Sequence, residues 1–252
     1  MYLVKDFLTA MDSIAPFSMA ESWDNVGLLA GAEDTPVMGA LVALDATAAV
    51  LKEAAKAGAN LIITHHPVIF PALSWLEKGS IPWQLAEKGI SVICAHTNLD
   101  VAPGGVNDVL AKRLCLSSLR NLNPGAIGRV GELCIPMTTE LFAGYVKGKL
   151  QASGVKYTDS GNTVRTVAIC SGSGSDYWAD AVRSGADAYV CGEVQHHIWL
   201  DAVHRGITLV EAGHFYTENP VVAPLAKKLE TLLPEIKIHA SQINSDNINF
   251  VL

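Results

Sequence analysis

Residues 40–67, ALVALDATAAVLKEAAKAGANLIITHHP, indicate which fold class this chain adopts. The apolar run 40–44 predicts a strand, and the alanine-rich segment 46–57 predicts a helix that a glycine ends. A second apolar run, 60–64, predicts another strand, which stops at two adjacent histidines. A strand, a helix and a strand in this order are typical of an α/β protein.

The same order of elements returns later in the chain. Residues 165–197, RTVAICSGSGSDYWADAVRSGADAYVCGEVQHH, again predict a strand, a helix, a glycine stop and a strand before a His-His pair. KGISVICAHTNLD at 88–100 is matched by RGITLVEAGHFYTE at 205–218, each with a histidine four residues before a carboxylate. Matches in the same order predict an internal duplication and therefore two related α/β lobes.

Glycines and the tail suggest where the lobes divide. Gly125 to Gly128 predict a crossing between the lobes. The tail predicts a helix over about 220–233 and a strand over about 235–240, which follow the second copy but could pack back on the first lobe. The two predicted lobes comprise residues 1–125 with about 220–252, and residues 126–219.

The composition restricts the class of partner. Only 17% of the residues are charged, against about 25% in a typical protein. Such a surface suggests that other subunits cover part of it. A net charge of -7 argues against a dedicated binder of DNA or RNA backbones, although it leaves a nucleotide substrate open.

The sequence predicts a cytoplasmic protein. No apolar run approaches the roughly 18 residues that a membrane span needs, and Asp6 interrupts the N-terminal segment where a signal peptide would be apolar. The five cysteines form no C-x-x-C pair, so we expect free thiols in a reducing compartment, buried where they stand in strand-like runs.

The histidines point to a metal site. Four of them end predicted strands, where polar sites gather in α/β sheets, namely His65, His66, His96 and His214. In a helical segment, the spacing of four residues would place His96 beside Asp100, and His214 beside Glu218. Histidines and carboxylates without cysteine suit Zn, Mn, Fe or Co, and bridging carboxylates make two ions natural.

Other segments leave alternatives open. Neighbours in a strand point in opposite directions, so His65 and His66 would serve two ions, or one of them turns as the strand ends. SGSGSD at 171–176 stands where a phosphate-binding loop would, but a flexible turn is the alternative. In ESWDNVGLLAG at 21–31, Asp24 and the next residue form either a simple turn or part of the site.

The motifs WDNVGLLAG, ITHHP, HTNLD, GEVQHH and GHFYTE, in this order, resemble the Nif-three-like family. Bacterial members are commonly labelled GTP cyclohydrolase 1 type 2 homologues. The resemblance runs from about residue 3 to the end of the chain. It implies two intertwined α/β lobes with a dinuclear metal site between them. It also implies a ring-shaped homohexamer, a trimer of dimers.

The resemblance also assigns residues to the site. Carried over motif by motif, it implies the metal ligands His65, His66, Asp100, His214 and Glu218, with Glu218 as a bridge. It places His96, Glu193 and His197 around them, where they would orient a ligand or a substrate.

Three hypotheses of function follow. The first is a hydrolase that uses two divalent metal ions on a nucleotide or a related small molecule, with attack of water on a guanine ring as its named form. The second is a metal-dependent phosphoesterase or nuclease with the same ions. The third is a metal-binding scaffold without catalytic activity.

Overall fold

The computed structural model describes residues 1–125 and 127–248. The strands, in chain order, are β1 (Gly27–Ala30), β2 (Ala40–Ala43), β3 (Leu61–Thr64), β4 (Ser91–Cys94), β5 (Ser117–Asn121), β6 (Arg129–Met137), β7 (Lys156–Tyr157), β8 (Val164–Cys170), β9 (Ala188–Cys191), β10 (Thr208–Glu211) and β11 (Ile238–Ala240). The α-helices are α1 (Val4–Ile14), α2 (Ala48–Lys56), α3 (Ile81–Lys88), α4 (Thr97–Val101), α5 (Val106–Arg113), α6 (Thr139–Leu150), α7 (Trp178–Arg183), α8 (His196–Arg205), α9 (His214–Glu218) and α10 (Val222–Leu232). Short 3-10 helices cover Phe17–Met19, Gly174–Tyr177 and Asn219–Val221.

The chain divides into two compact units. The first unit contains residues 1–105 and 221–244, and the second contains the described residues of 106–220 and 245–248. The sequence placed the division at residue 125 instead. Residues 106–125 belong with the second unit because β5 pairs with β6 in the sheet of that unit.

The segment from Gly125 to Gly128 connects two strands of one sheet. It was expected to cross between lobes, but β5 and β6 on either side of it are antiparallel neighbours. Ala126 lies outside the described residues.

The first unit has a mixed sheet with a parallel centre. Within the described residues, its strand order is β1-β4-β3-β2-β11, with β1 antiparallel to β4 and the remaining pairs parallel. The residues of β2, β3 and β4 are all buried, as expected for strands covered on both faces. The predicted strands near 40–44 and 60–64 are therefore confirmed. The tail strand β11 pairs with β2, so the tail does pack on the first unit.

The second unit repeats this arrangement. Within the described residues, its strand order is β5-β6-β8-β9-β10-β7. β8, β9 and β10 are parallel, and β7 runs antiparallel to β10 as β1 does to β4. The repeated order of strands agrees with the repeat in the sequence, and the predicted mixed α/β class is confirmed.

The helix ends follow the sequence signals. The Thr47 hydroxyl accepts a hydrogen bond from the Val50 amide at 3.2 Å and so caps α2. Gly58 and Gly185, the two predicted stops, have φ of +69° and +77°, which a residue with a Cβ adopts at a cost.

Among residues 1–125 and 127–248, none of the helices has both the length and the hydropathy of a membrane span. Cys94, Cys170 and Cys191 are buried free thiols, as expected, whereas Cys115 and Cys134, the latter within β6, are exposed free thiols.

Candidate metal centre

Three histidines of the first unit converge beyond the ends of two neighbouring strands. β3 and β4 are parallel and end together, with Thr64 opposite Cys94. His65 and His66 follow β3, and His96 follows β4 two residues after it ends. One ring nitrogen from each of these histidines lies within 4.8 Å of the other two. The chain thus gathers three imidazoles where parallel strands place polar sites.

The His65 and His66 rings lie close together. Their centroids are 5.0 Å apart at an interplanar angle of 42°. The strand ends at Thr64, so the alternation of side chains does not extend to this pair. This geometry matches the alternative in which a side chain turns as the strand ends.

His65 is buried and held by the backbone. Its Nδ1 lies 3.0 Å from the Ala95 carbonyl oxygen, which can only accept a hydrogen bond, so Nδ1 carries the proton. The lone pair of the neutral ring is then on Nε2, the atom that would bind a metal. Nε2 lies 3.8 Å from Oδ1 of Asp100, a carboxylate of α4 that is also buried.

Carboxylates hold the other two rings of the first unit in the same way. His66 Nδ1 lies 2.7 Å from Asp45 Oδ1, and His96 Nδ1 lies 2.9 Å from Asp24 Oδ1. A histidine that ligates a metal commonly gives its second ring N–H to a carboxylate or a carbonyl, which fixes the ring. All three rings of the cluster therefore have Nδ1 engaged and Nε2 as the candidate ligand atom.

Asp24 organises the segment around His96. Burial raises the pKa of the Asp24 carboxyl, but hydrogen bonds from the Thr97 side chain, from His96 and from the Thr97 amide together hold that pKa below its usual value. The Thr97 hydroxyl and amide donate to Oδ2 at 2.5 Å and 3.0 Å. Asp24 thus acts as a structural partner of the site rather than as a simple turn residue.

The surroundings of His96 favour its neutral form. Burial lowers its pKa, the nearby His65 lowers it further, and Asp24 only partly opposes these effects. A neutral imidazole keeps the lone pair that metal binding requires. His96 was expected to orient a ligand, and its place in the cluster also makes it a candidate ligand.

The second unit carries its own histidine and carboxylate pair. His214 and Glu218 are the first and last residues of α9, and His214 Nε2 lies 3.0 Å from Glu218 Oε2. This is the one-face arrangement predicted from their spacing of four residues. Glu218 is buried, and Glu193 Oε1 lies 3.0 Å from His214 Nδ1. Glu193 therefore orients His214 as Asp24 and Asp45 orient their histidines.

A glycine makes room for this pair. Gly172 has a φ of +59°, and a Cβ at this position would lie 2.0 Å from Glu218 Oε1 and 3.2 Å from His214 Nε2. The next residue, Ser173, donates its hydroxyl to Glu193 Oε2 at 2.9 Å. The segment considered as a phosphate-binding loop thus contacts the proposed ligands and their partner directly.

The remaining predicted residue stands apart from these contacts. His197 is exposed in the first turn of α8 and belongs to none of the close His, Asp and Glu groups in the described part of the chain. Asp45 was not predicted from the sequence. The sequence feature that could have identified Asp45 is its position, because it follows the end of β2 beside the other strand ends of the sheet.

Comparisons with known proteins agree with one another. A family model described as Duf34/NIF3 (NGG1p interacting factor 3) matches residues 2–247. Proteins named GTP cyclohydrolase 1 type 2 homolog are similar along almost their whole length. The one from Clostridium perfringens is 32% identical over 98% of this chain and 99% of its own, and the one from Clostridium acetobutylicum is 34% identical over 97% and 96%.

Solved structures show the same fold. The Staphylococcus aureus hypothetical protein SA1388 is 34% identical and superposes with a TM-score of 0.93 over 99% of both chains. A Bacillus cereus protein related to NIF3 is 26% identical, with a TM-score of 0.94 over 99% of both chains.

Proposed function

Because this chain belongs to the Duf34/NIF3 family, we propose that it is a hydrolase that uses two divalent metal ions to act on a nucleotide or a related small molecule. The proposed ligands are His65, His66, Asp100, His214 and Glu218. His96 is an additional candidate, and Asp24, Asp45 and Glu193 orient the rings.

The proposal rests on the orientation of the imidazole rings. In both units, each histidine of the candidate centre has its Nδ1 within 3.0 Å of an oxygen atom. A carboxylate or carbonyl that accepts from Nδ1 fixes the tautomer and places the lone pair of the ring on Nε2. Four histidines with unrelated roles would not be expected to share this arrangement.

The donor set fits transition metals. Imidazole nitrogens and carboxylate oxygens suit Zn, Mn, Fe or Co, and thiolates are not needed. When bound, two such ions supply an activated water and positive charge that stabilises a developing anion.

The buried carboxylates also fit cations. Asp100 is 8% exposed and Glu218 is 4% exposed. Removing a carboxylate from water costs free energy that a nearby positive charge offsets. We propose that these two carboxylates bind the ions, while Glu193 and Asp24 hold the histidine rings in place. The substrate then approaches from the solvent-exposed side of the site.

The names of the relatives suggest which substrates to try first. Relatives that cover almost this whole chain are named GTP cyclohydrolase 1 type 2 homolog, a name that points to GTP. We therefore propose a purine nucleotide as the first substrate class.

The direct test is turnover by the metal-loaded protein. Protein loaded in turn with Zn, Mn, Fe or Co is incubated with GTP, other purine nucleotides and simple phosphoesters, and the products are separated by chromatography. Asp100→Asn and Glu218→Gln keep the shape of each side chain and remove its charge. Each should lower the rate at least about tenfold, because charge stabilisation of this kind contributes several kcal/mol.

Asp201→Asn is the matched control, because Asp201 is exposed on α8. Its rate should equal that of the wild type. Hydrolysis of phosphoesters alone would favour the phosphoesterase hypothesis. No hydrolysis of any substrate with both ions bound would contradict a catalytic function and favour the scaffold.

A further inference from the structure

Two large aromatic side chains are exposed beside the histidines of the first unit. Trp23 is 61% exposed and Phe70 is 51% exposed, and their ring centroids are 6.0 Å apart. Exposed aromatic surface next to a polar site is typical of a binding surface, because water solvates these rings poorly.

Both rings face the same imidazole. The centroid of Trp23 lies 6.4 Å from that of His96, and the centroid of Phe70 lies 6.1 Å from it, at interplanar angles of 78° and 85°. The His96 ring in turn lies 5.1 Å from His65 and 5.7 Å from His66. The aromatic pair is therefore one ring away from the proposed ligands.

Hydrogen bonds fix the segments that carry these rings. The Asn25 side-chain amide donates to the Ile69 carbonyl at 2.6 Å, so the neighbours of Trp23 and Phe70 are joined directly. Asp24 is bonded to His96 and Thr97. Rings held in place in this way lose little conformational entropy when a ligand binds.

We propose that Trp23 and Phe70 bind the planar heteroaromatic ring of a small-molecule substrate, beside the metal-binding histidines. Aromatic side chains recognise flat rings by stacking and by edge-to-face contacts, which are tolerant of the pattern of ring substituents. The net charge of -7 favours a small molecule over a long nucleic acid as the source of the ring. This inference rests on the proposed function, since it places the ring at the same site.

The test compares two probes that differ only in the ring. Guanosine 5′-monophosphate has the base, and ribose 5-phosphate lacks it. Titration calorimetry on the metal-loaded protein should give tighter binding of the nucleotide. Trp23→Leu and Phe70→Leu should each weaken nucleotide binding about tenfold and leave ribose 5-phosphate binding unchanged.

Trp75→Leu is the matched control. Trp75 is 69% exposed on the same connection as Phe70, but it is not among the rings around His96 in the described part of the chain. Its nucleotide affinity should match that of the wild type. Elemental analysis and light scattering of every variant should show unchanged metal content and mass.

Specific outcomes separate the two proposals. If the wild type binds no metal, the proposed function is contradicted. The difference in affinity between guanosine 5′-monophosphate and ribose 5-phosphate would still test the contacts with the ring. Equal nucleotide affinity in wild type, Trp23→Leu and Phe70→Leu would overturn the inference, and so would an absence of nucleotide binding to the wild type. A changed mass with unchanged nucleotide affinity would show that the rings form a subunit contact instead.

Discussion

Gly172 illustrates how a single residue leaves room for the candidate metal ligands of the second unit. Its position under Glu218 and His214 leaves no space for a Cβ, which would lie 2.0 Å from Glu218 Oε1. Gly192 is equally restricted, because a Cβ there would lie 2.5 Å from the Gly172 carbonyl oxygen. Both glycines stand in the second copy of the repeat, next to strand ends. Their small size, rather than flexibility alone, explains why glycine occupies them.

Gly172→Ala should therefore lower metal content without unfolding the protein. The new methyl group displaces the Glu218 carboxylate, and we expect loss of at least one ion by elemental analysis. Gly161→Ala is the control, because Gly161 also has a positive φ, of +71°, but nothing within 4 Å of the added carbon. In both variants, a residue with a Cβ adopts a positive φ, which costs about 1 kcal/mol of folding free energy. Equal metal content in the two variants would contradict the role given to Gly172.

Cys115 should be the more reactive of the two exposed thiols. The Lys149 ammonium donates to its sulfur at 3.2 Å, and this contact lowers the pKa of the Cys115 thiol below its usual value of 9.0. A lower pKa gives more thiolate at pH 7 to 8, so iodoacetamide should modify Cys115 faster than an ordinary thiol. Lys149→Gln should move the midpoint of the pH-rate profile upward.

Mass spectrometry of peptides after short exposures measures this rate. Cys134 is also exposed and provides the internal reference within each sample. An identical profile for Cys115 in wild type and Lys149→Gln would show that Lys149 does not control the thiol.

At the scale of elements, α4 depends on contacts from outside itself. A helix of five residues is too short to be stable alone. The Asp24 carboxylate accepts from the Thr97 amide at the start of this helix and from His96, which precedes it. Asp24 thus positions both His96 and the helix that carries Asp100.

Asp24→Ala should weaken metal binding about 10- to 100-fold, the usual effect of removing a residue that orients a metal ligand. Titration with Zn or Mn, followed by competition with a chelator, measures the change. Asp12→Ala is the control, since it removes a comparable hydrogen bond from the Phe17 amide elsewhere in the first unit. A metal affinity equal to that of the control would show that Asp24 serves only folding.

The sequence predicts the elements better than it predicts their connections. The repeat identified the parallel strands of both sheets, because apolar runs and glycine stops are local signals. The sequence put the division between the lobes at residue 125, which the structure contradicts. Only strand pairing shows that β5 and β6 belong to the same sheet. The partner of His96 stands 72 residues away and that of His66 stands 21 residues away, so no local pattern could pair them.

At the scale of the whole molecule, we propose a homohexamer. Only 17% of the residues are charged, and several large apolar side chains away from the candidate site are exposed, namely Ile135, Leu141 and Leu200. Burying such surface against other subunits is favourable. Light scattering should give a mass near six times that of the 26.8 kDa chain. A monodisperse monomer at micromolar concentration would contradict this assembly.

Metal stoichiometry tests the central claim most directly. Elemental analysis of the purified protein should give close to two transition-metal ions per chain. His214→Ala and Glu218→Ala should each remove at least one ion, while circular dichroism shows an unchanged fold. The ligands lie at strand and helix ends rather than in the apolar layers, which is why the fold should survive. Less than one ion per wild-type chain, or full occupancy in both variants, would contradict the assignment of the metal centre.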